Sequence, residues 1–233
     1  EDGLNRYDGA KFTIYKHEPN NEHSLAHNFV RTVFEDSKGH LLIGTYIGIQ
    51  MYDPATDNFT PLAKLEDTGE TLESNINSFI ERKNGEIWVS GNVLCKLDIK
   101  DHLLTVRKVD IAVTSPGSLF EDKKQNVWMA KGEEGVYQLT PDNQLTLHLS
   151  KDNGYVKSIC EDQRGNIYVG SIRKGLFIYD KERKTFVPVD LKEKGELPVC
   201  FLYSGPQNEL YIGTDGKGMS VYNNQTHEIS EYN

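Results

Sequence analysis

Apolar and polar residues alternate in short runs along the whole chain, and polar turns separate the runs. Val30-Arg31-Thr32-Val33-Phe34 and Val156-Lys157-Ser158-Ile159-Cys160 alternate with a period of two, the signature of a strand with one buried face. Each is followed by a polar turn, Glu35-Asp36-Ser37-Lys38-Gly39 or Glu161-Asp162-Gln163-Arg164-Gly165, whose late glycine supplies the positive φ of a tight hairpin. A second run is almost wholly apolar, as in Leu41-Leu42-Ile43-Gly44 and Val127-Trp128-Met129-Ala130. A third covers 49–52, 94–97, 136–139, 176–179 and 219–222, and usually ends in a turn residue such as Asp53, Asp98, Asp180 or Asn223. A fourth covers 59–62, 103–106, 145–148, 186–189 and 229–232. No segment sustains helical periodicity. The pattern predicts units of four short antiparallel strands, a to d, joined by hairpins.

The second strand sets the period. Its central residues, Leu42, Trp88, Trp128, Tyr168 and Tyr211, recur every 40–46 residues, the spacing of β-propeller blades. One four-stranded meander cannot bury both faces, so the units must stack. Radial stacking gives a propeller; a linear solenoid is the competing arrangement, although its repeats are usually shorter. The chain therefore reads as all-β, one partial β-propeller over 1–233. Its blades cover 28–62, 75–106, 115–148, 155–189 and 198–232, preceded by a half blade over 3–15 that supplies only strands c and d. Five blades and a half suggest a piece of a larger ring. Its unpaired edges and aromatic outer faces predict self-association or neighbouring domains. The five central residues of strand b are expected to be buried at equivalent positions.

A net charge of −9 disfavours nucleic acid, whose phosphates need a basic face. No apolar run reaches the roughly 18 residues of a membrane span, so no membrane contact is expected from this segment. Cys95, Cys160 and Cys200 are odd in number and lack metal-ligand spacing, which points to buried thiols.

Recurrent residues read as structure. The acidic pairs Glu35-Asp36, Glu121-Asp122 and Glu161-Asp162 look suited to proton transfer or calcium, but they recur beside one hairpin turn, where Asp is favoured for its turn chemistry. The aromatic column of strand b reads as core rather than as a sugar-stacking platform. Function is sought in non-recurrent loop residues. Antiparallel parity puts the b–c and d–a loops of a blade on one face. The b–c loops offer Tyr46, Asn92, Lys131, Glu133, Glu134, Arg173, Lys174, Asp215 and Lys217. Of these, Tyr46, Asn92, Lys131, Glu134, Arg173, Lys174, Asp215 and Lys217 are the candidate ligand-binding set; this mix of charges and amides suits a polar ligand, though it also suits an ordinary solvated rim. The longest d–a loop holds His17, Glu18, Glu22, His23 and His27, but no HExxH pattern and no helix draws them together, so no metal, cofactor or catalytic residue is assigned.

The repeat resembles the two-component regulator propeller repeat, whose blade reads loosely N-x-V-x-x-I-x-E-D-x-x-G-x-L-W-I-G-T-x-x-G-L-x-x-Y-D-x-x-x-x-x-F. Residues 28–59 carry most of it, and 156–186 carry it again with Tyr168 for Trp. Blade two departs most, with Glu81-Arg82 for the acidic pair, and blade three has Gln125-Asn126 in place of the hairpin glycine. The resemblance implies seven-bladed propellers in the periplasmic sensor region of an inner-membrane-anchored hybrid histidine kinase, common in gut Bacteroides. It also implies companion propeller and β-sandwich domains in the same parent chain, a downstream phosphorelay, and oligosaccharide breakdown products as cues. None of the kinase or receiver segments lies in these residues, so the segment itself is expected not to be an enzyme. The rival readings are a propeller lyase or glycosidase, and a structural dimerisation scaffold.

Overall fold

Each alternating run becomes a strand of an antiparallel meander in the computed structural model, which describes residues 2–149, 154–191 and 197–232. The chain divides into two units, Glu1–Pro116 and Gly117–Asn233. In the first unit, β1 (Leu4–Tyr7) and β2 (Phe12–Tyr15) form the two-stranded half blade. Blade 1 contains β3 (Val30–Glu35), β4 (Leu41–Thr45), β5 (Ile49–Asp53) and β6 (Asn58–Phe59). Then come β7 (Lys64–Leu65), β8 (Ser78–Glu81), β9 (Ile87–Ser90), β10 (Leu94–Lys100) and β11 (Leu103–Lys108). The second unit holds blade 3, with β12 (Leu119–Glu121), β13 (Val127–Lys131), β14 (Gly135–Leu139) and β15 (Leu145–Leu149). Blade 4 follows with β16 (Val156–Glu161), β17 (Ile167–Ser171), β18 (Gly175–Asp180) and β19 (Thr185–Pro188). Blade 5 has β20 (Val199–Ser204), β21 (Glu209–Thr214), β22 (Met219–Asn223) and β23 (Ile229–Glu231). No helix occurs among the described residues. The chain is a run of four-stranded β-propeller blades.

The strand-b column is in register. Leu42, Trp88, Trp128, Tyr168 and Tyr211 pair with Phe34, Ile80, Phe120, Cys160 and Tyr203 of their own a strands. The first four are buried. Tyr211 departs from the expectation: it is only half-buried, because its sheet face, with Phe201 and Tyr203, is not covered by another sheet of its unit. Blades 1 and 2 share one core, in which Leu42, Ile49 and Met51 meet Phe79, Ile87 and Val89. In the second unit Trp128 packs with Phe186 of blade 4, and Tyr168 with Leu202 and Ile212 of blade 5. The glycine after the strand-b run lets blades approach closely. A Cβ on Gly44 would sit 2.6 Å from the Ile76 side chain, and one on Gly170 2.4 Å from Val199. Each partner residue enters the next blade, so the glycine is a packing device and not a turn residue.

The acidic pairs divide their work between two kinds of contact. Asp36, Asp122 and Asp162 each hold their own a–b turn, accepting two backbone N–H bonds through Oδ1. The glutamate position before the turn reaches to a neighbouring blade: Glu161 accepts from Lys123 N at 2.9 Å, and Glu81, which precedes Arg82 instead of an aspartate, from Ser37 N and Oγ at 2.7 and 2.6 Å. In blade 2 the Asp position is Arg82, whose guanidinium lies 4.6 Å over the Trp88 ring, and Glu86 accepts the Trp88 indole N–H at 3.0 Å. Lys96, 2.5 Å from Glu86, holds that carboxyl down at about 2.

The half blade is fastened to blade 1 by one carboxylate. Asp57 Oδ1 accepts from Tyr15 and Tyr52 hydroxyls at 2.6 Å each and from Arg6 at 2.9 Å. Burial, and then the bond to Asp57, raise the Tyr15 hydroxyl above the usual phenol range.

Blade 3 replaces the hairpin glycine with Gln125, which is forced to φ +67°, where Gly39, Gly85 and Gly165 sit at +84°, +82° and +80°. A non-glycine residue there costs roughly 1–2 kcal/mol. Part of any gain from glycine is lost to the greater freedom of the unfolded chain. Gln125→Gly is therefore expected to stabilise by about 0.5–1 kcal/mol, read as a higher urea midpoint; a lower midpoint would contradict a strained turn.

Strand d of blade 1 departs from its expected span of 59–62. β6 stops at Phe59, and after Pro61, which has no N–H to give, the chain crosses to blade 2. There β7 pairs in parallel with β11, making a five-stranded sheet of order β7-β11-β10-β9-β8. Beyond β6, Thr60 N and Ala63 N still donate to Met51 O and Ile49 O, and the buried Gln50 ties this segment to the long loop: its amide donates to Ser24 O and Thr60 O and accepts from Ala26 N.

Candidate functional site: the loop face of the blades

In blades 1, 4 and 5 the b–c loop is stitched to the residue that enters strand a of its own blade. Tyr46 N donates to Phe29 O at 3.1 Å, Ile172 N to Tyr155 O at 2.9 Å and Asp215 N to Pro198 O at 2.9 Å. The d–a and b–c loops thus meet at one end of the blade, and the side chains they carry form a common surface.

On the first unit this surface is aromatic. Tyr46 is 55% exposed, with His27 at 5.6 Å between ring centroids and Phe29 edge-on at 6.2 Å. Arg31 lies 5.8 Å over the Phe29 ring and donates to Asn77 Oδ1 at 3.0 Å. His27 Nδ1 accepts the Phe29 N–H at 3.0 Å, so the neutral ring carries its proton on Nε2. A ring face and two polar heads, imidazole and guanidinium, are thereby held side by side. Asn92 lies on the same unit, but its backbone is occupied: its N–H donates to Ser74 Oγ and its carbonyl accepts from Ser115.

On the second unit the surface is charged. Lys131 pairs with Glu134 at 2.8 Å, and Arg173 with Glu133 at 2.9 Å. The second pair joins the b–c loops of blades 3 and 4. Tyr155, 41% exposed, lies beside Gly132, where a Cβ would come within 2.9 Å of its ring. Arg173 and Lys174 border the same entry through Gly154. Asp215 and Lys217 flank Gly216 in the b–c turn of blade 5, where Lys217 N donates to Thr214 Oγ1 at 3.1 Å. Tyr46 and Asn92 therefore belong to one unit, and Lys131, Glu134, Arg173, Lys174, Asp215 and Lys217 to the other.

His27, Phe29, Arg31 and Tyr155 were not singled out from sequence as ligand-binding. Phe29 and Tyr155 sit at equivalent places, one residue before strand a, where blade 5 has Pro198. An aromatic that enters strand a in some repeats and not others was the available signal.

The histidines of the long d–a loop have separate tasks. His17 Nδ1 meets Leu25 O and His23 Nδ1 meets Phe59 O, both at 3.1 Å. Among the described residues no three His, Cys, Asp or Glu side chains are placed to share a metal ion. Burial pushes the Cys95 thiol up to about 11 and the Cys160 thiol up to about 12, which leaves both un-ionised and poorly nucleophilic at neutral pH.

Comparison with known proteins gives these blades a family setting. The family model described as two component regulator propeller matches residues 24–46 and 150–173. No curated protein matches the chain. Among solved structures, the extracellular domain of BT3049 from B. thetaiotaomicron, described as a hybrid two component system, superposes with a TM-score of 0.72 at 20% identity over 94% of this chain and 30% of that one. The corresponding domain of BT4673 from the same organism gives 0.77 at 17% identity over 100% and 34%. Virginiamycin B lyase from Staphylococcus aureus gives 0.67 at 13% identity over 95% and 73%. The chain thus spans about a third of those two extracellular domains, and at these identities the likeness is one of fold.

Proposed function

We propose, for a chain that carries two component regulator propeller repeats, that it is a ligand-binding stretch of an extracytoplasmic sensor propeller and that its loop face takes saccharide units. The parent in this reading is a periplasmic-facing, membrane-anchored signalling protein, and no catalytic step is assigned to this segment. One observation carries the reading: Tyr46 offers an exposed ring face fixed by His27 and Phe29, with the imidazole beside it and the Arg31 guanidinium over the neighbouring Phe29 ring. A sugar ring presents C–H groups on one face and hydroxyls at its edge, and so matches an apolar ring bordered by donors. Tyr155 beside Arg173 and Lys174 repeats this combination on the other unit. The residues involved are loop residues on a rigid meander, the usual location of recognition groups.

Calorimetric titration with a panel of neutral and acidic oligosaccharides tests this. For a binder from that panel, Tyr46→Ala or Arg173→Ala is expected to weaken affinity about tenfold or more, the loss of a contact worth more than ~1.4 kcal/mol. Melting temperatures should stay put, since both side chains are exposed. A binder whose affinity neither variant alters would place recognition elsewhere.

A further inference from the structure

The crossover at Pro61 builds something the other blades do not have. Because β6 ends early and β7 joins β11, a cleft of about 610 Å³ opens along the outer strands of blades 1 and 2. That volume lies within the range of small-molecule sites. Ile47, Pro61, Leu62 and Leu104 give it an apolar lining.

One wall is polar in an ordered way. Thr105 pairs with Lys64 in the parallel β11–β7 ladder, and Lys64 bridges to Thr71 on its other side. The bonds flanking that bridge run from Leu65 N to Glu70 O and from Leu72 N to Ala63 O, so Lys64 and Thr71 form a non-hydrogen-bonded pair, the closer kind. Cross-strand neighbours lie roughly 4.5–5.5 Å apart at Cβ. Thr105, Lys64 and Thr71 thus make one row, hydroxyl–ammonium–hydroxyl, and all three line the cleft. Lys64 has no ion-pair partner among the described residues. In a chain of net charge −9, a lysine without an ion-pair partner, flanked in its row by two threonines and facing an apolar lining, favours an anion. His102 adds further N–H capacity to the lining, whereas His17 spends its Nδ1–H on Leu25 O, and Glu22 is the acidic member.

We infer that this cleft is a second binding site, separate from the loop face, for a small organic anion: a carboxylate or sulfonate carried on an apolar body, the head group on the Thr105–Lys64–Thr71 row and the body against Leu62, Leu104 and Ile47.

The probe is 1-anilinonaphthalene-8-sulfonate, an aryl sulfonate whose fluorescence rises on burial, titrated into the whole 233-residue chain. Saturable binding of one equivalent is expected. Lys64→Glu should weaken it at least tenfold, Thr105→Trp should block it, and Lys38→Glu, on the exposed a–b turn of blade 1, should leave it unchanged. Lys64 is exposed, so its variant keeps the test valid even if the tryptophan variant fails to fold. Tyr203→Glu reports on the open aromatic face of blade 5, the other place where the dye could settle. Non-saturating fluorescence, binding indifferent to Lys64→Glu, or binding abolished by Tyr203→Glu would each overturn the inference. Saccharide affinity measured on Tyr46→Ala is a separate reading, so either site can fail without the other.

Discussion

Replacing Trp128 by alanine is expected to destabilise the second unit by ~3–5 kcal/mol, the range for emptying a large aromatic core site. The indole is 1% exposed and lies against Tyr179 at 5.3 Å, His148 at 5.4 Å and Phe186 at 5.8 Å between ring centroids. Its N–H donates to Asp122 Oδ2 at 2.9 Å, the same carboxylate that organises the turn before strand b. Truncation removes the ring that joins blade 3 to blade 4 and weakens a turn. Trp128→Phe keeps most of the packing and loses the indole bond, so about 1–2 kcal/mol is expected. Tyr211 occupies the same strand position in blade 5 but is half exposed, and Tyr211→Ala is expected to cost only about 1 kcal/mol. Urea melts of the three variants give the comparison. A Tyr211→Ala loss equal to that of Trp128→Ala would mean that the face of blade 5 is covered after all.

What could be read from the residues follows from which contacts are local. Hairpin register depends on neighbours in sequence, so the half blade at Leu4–Tyr7 and Phe12–Tyr15 and the five-fold strand-b column were legible in the alternation alone. So was the meeting of b–c and d–a loops, which follows from strand parity. The contacts between blades were not. Glu161 read as a member of an acidic turn pair and Glu81 as part of blade two's departure from one, yet each closes a bond to a blade about forty residues away. The glycine that closes the strand-b run reads as part of that run with no role of its own, and its reason is the side chain of Ile76 or Val199 in the next blade. Strand d of blade 1 was expected to run through Pro61 to residue 62, and nothing local announced that Lys64 and Leu65 would pair in parallel with Thr105 and Val106. The cleft that results was invisible for the same reason. On the loop face, Tyr46 was found because it breaks the repeat. Phe29 was missed because an apolar residue beside a strand reads as part of the strand.

Asp162 carries the second large effect. It is 1% exposed and accepts four hydrogen bonds: Arg164 N at 2.9 Å and Asn166 N at 2.8 Å through Oδ1, and Asn166 Nδ2 at 2.8 Å and Asn224 Nδ2 at 3.1 Å through Oδ2. Three of these hold the a–b turn of blade 4, and the fourth ties it to the c–d turn of blade 5. Asp162→Ala leaves several donors without an acceptor where water has little access, and each such loss costs roughly 1–3 kcal/mol. With partial relaxation the expected destabilisation is about 2–4 kcal/mol. Asp162→Asn keeps one oxygen but turns an NH₂ group toward the amides of Asn166 or Asn224, so it should recover less than half of that loss. The same geometry decides against the other use of these carboxylates. A carboxylate whose lone pairs are already taken by four N–H groups has little left for a cation, and calcium prefers six to eight oxygen ligands. Melting temperature is therefore expected to be indifferent to millimolar calcium or to a chelator, in the parent chain and in Asp162→Ala alike. Stabilisation by calcium that vanishes in Asp162→Ala would show that the turn gives up its hydrogen bonds to hold an ion, and that the acidic pairs are sites rather than fasteners.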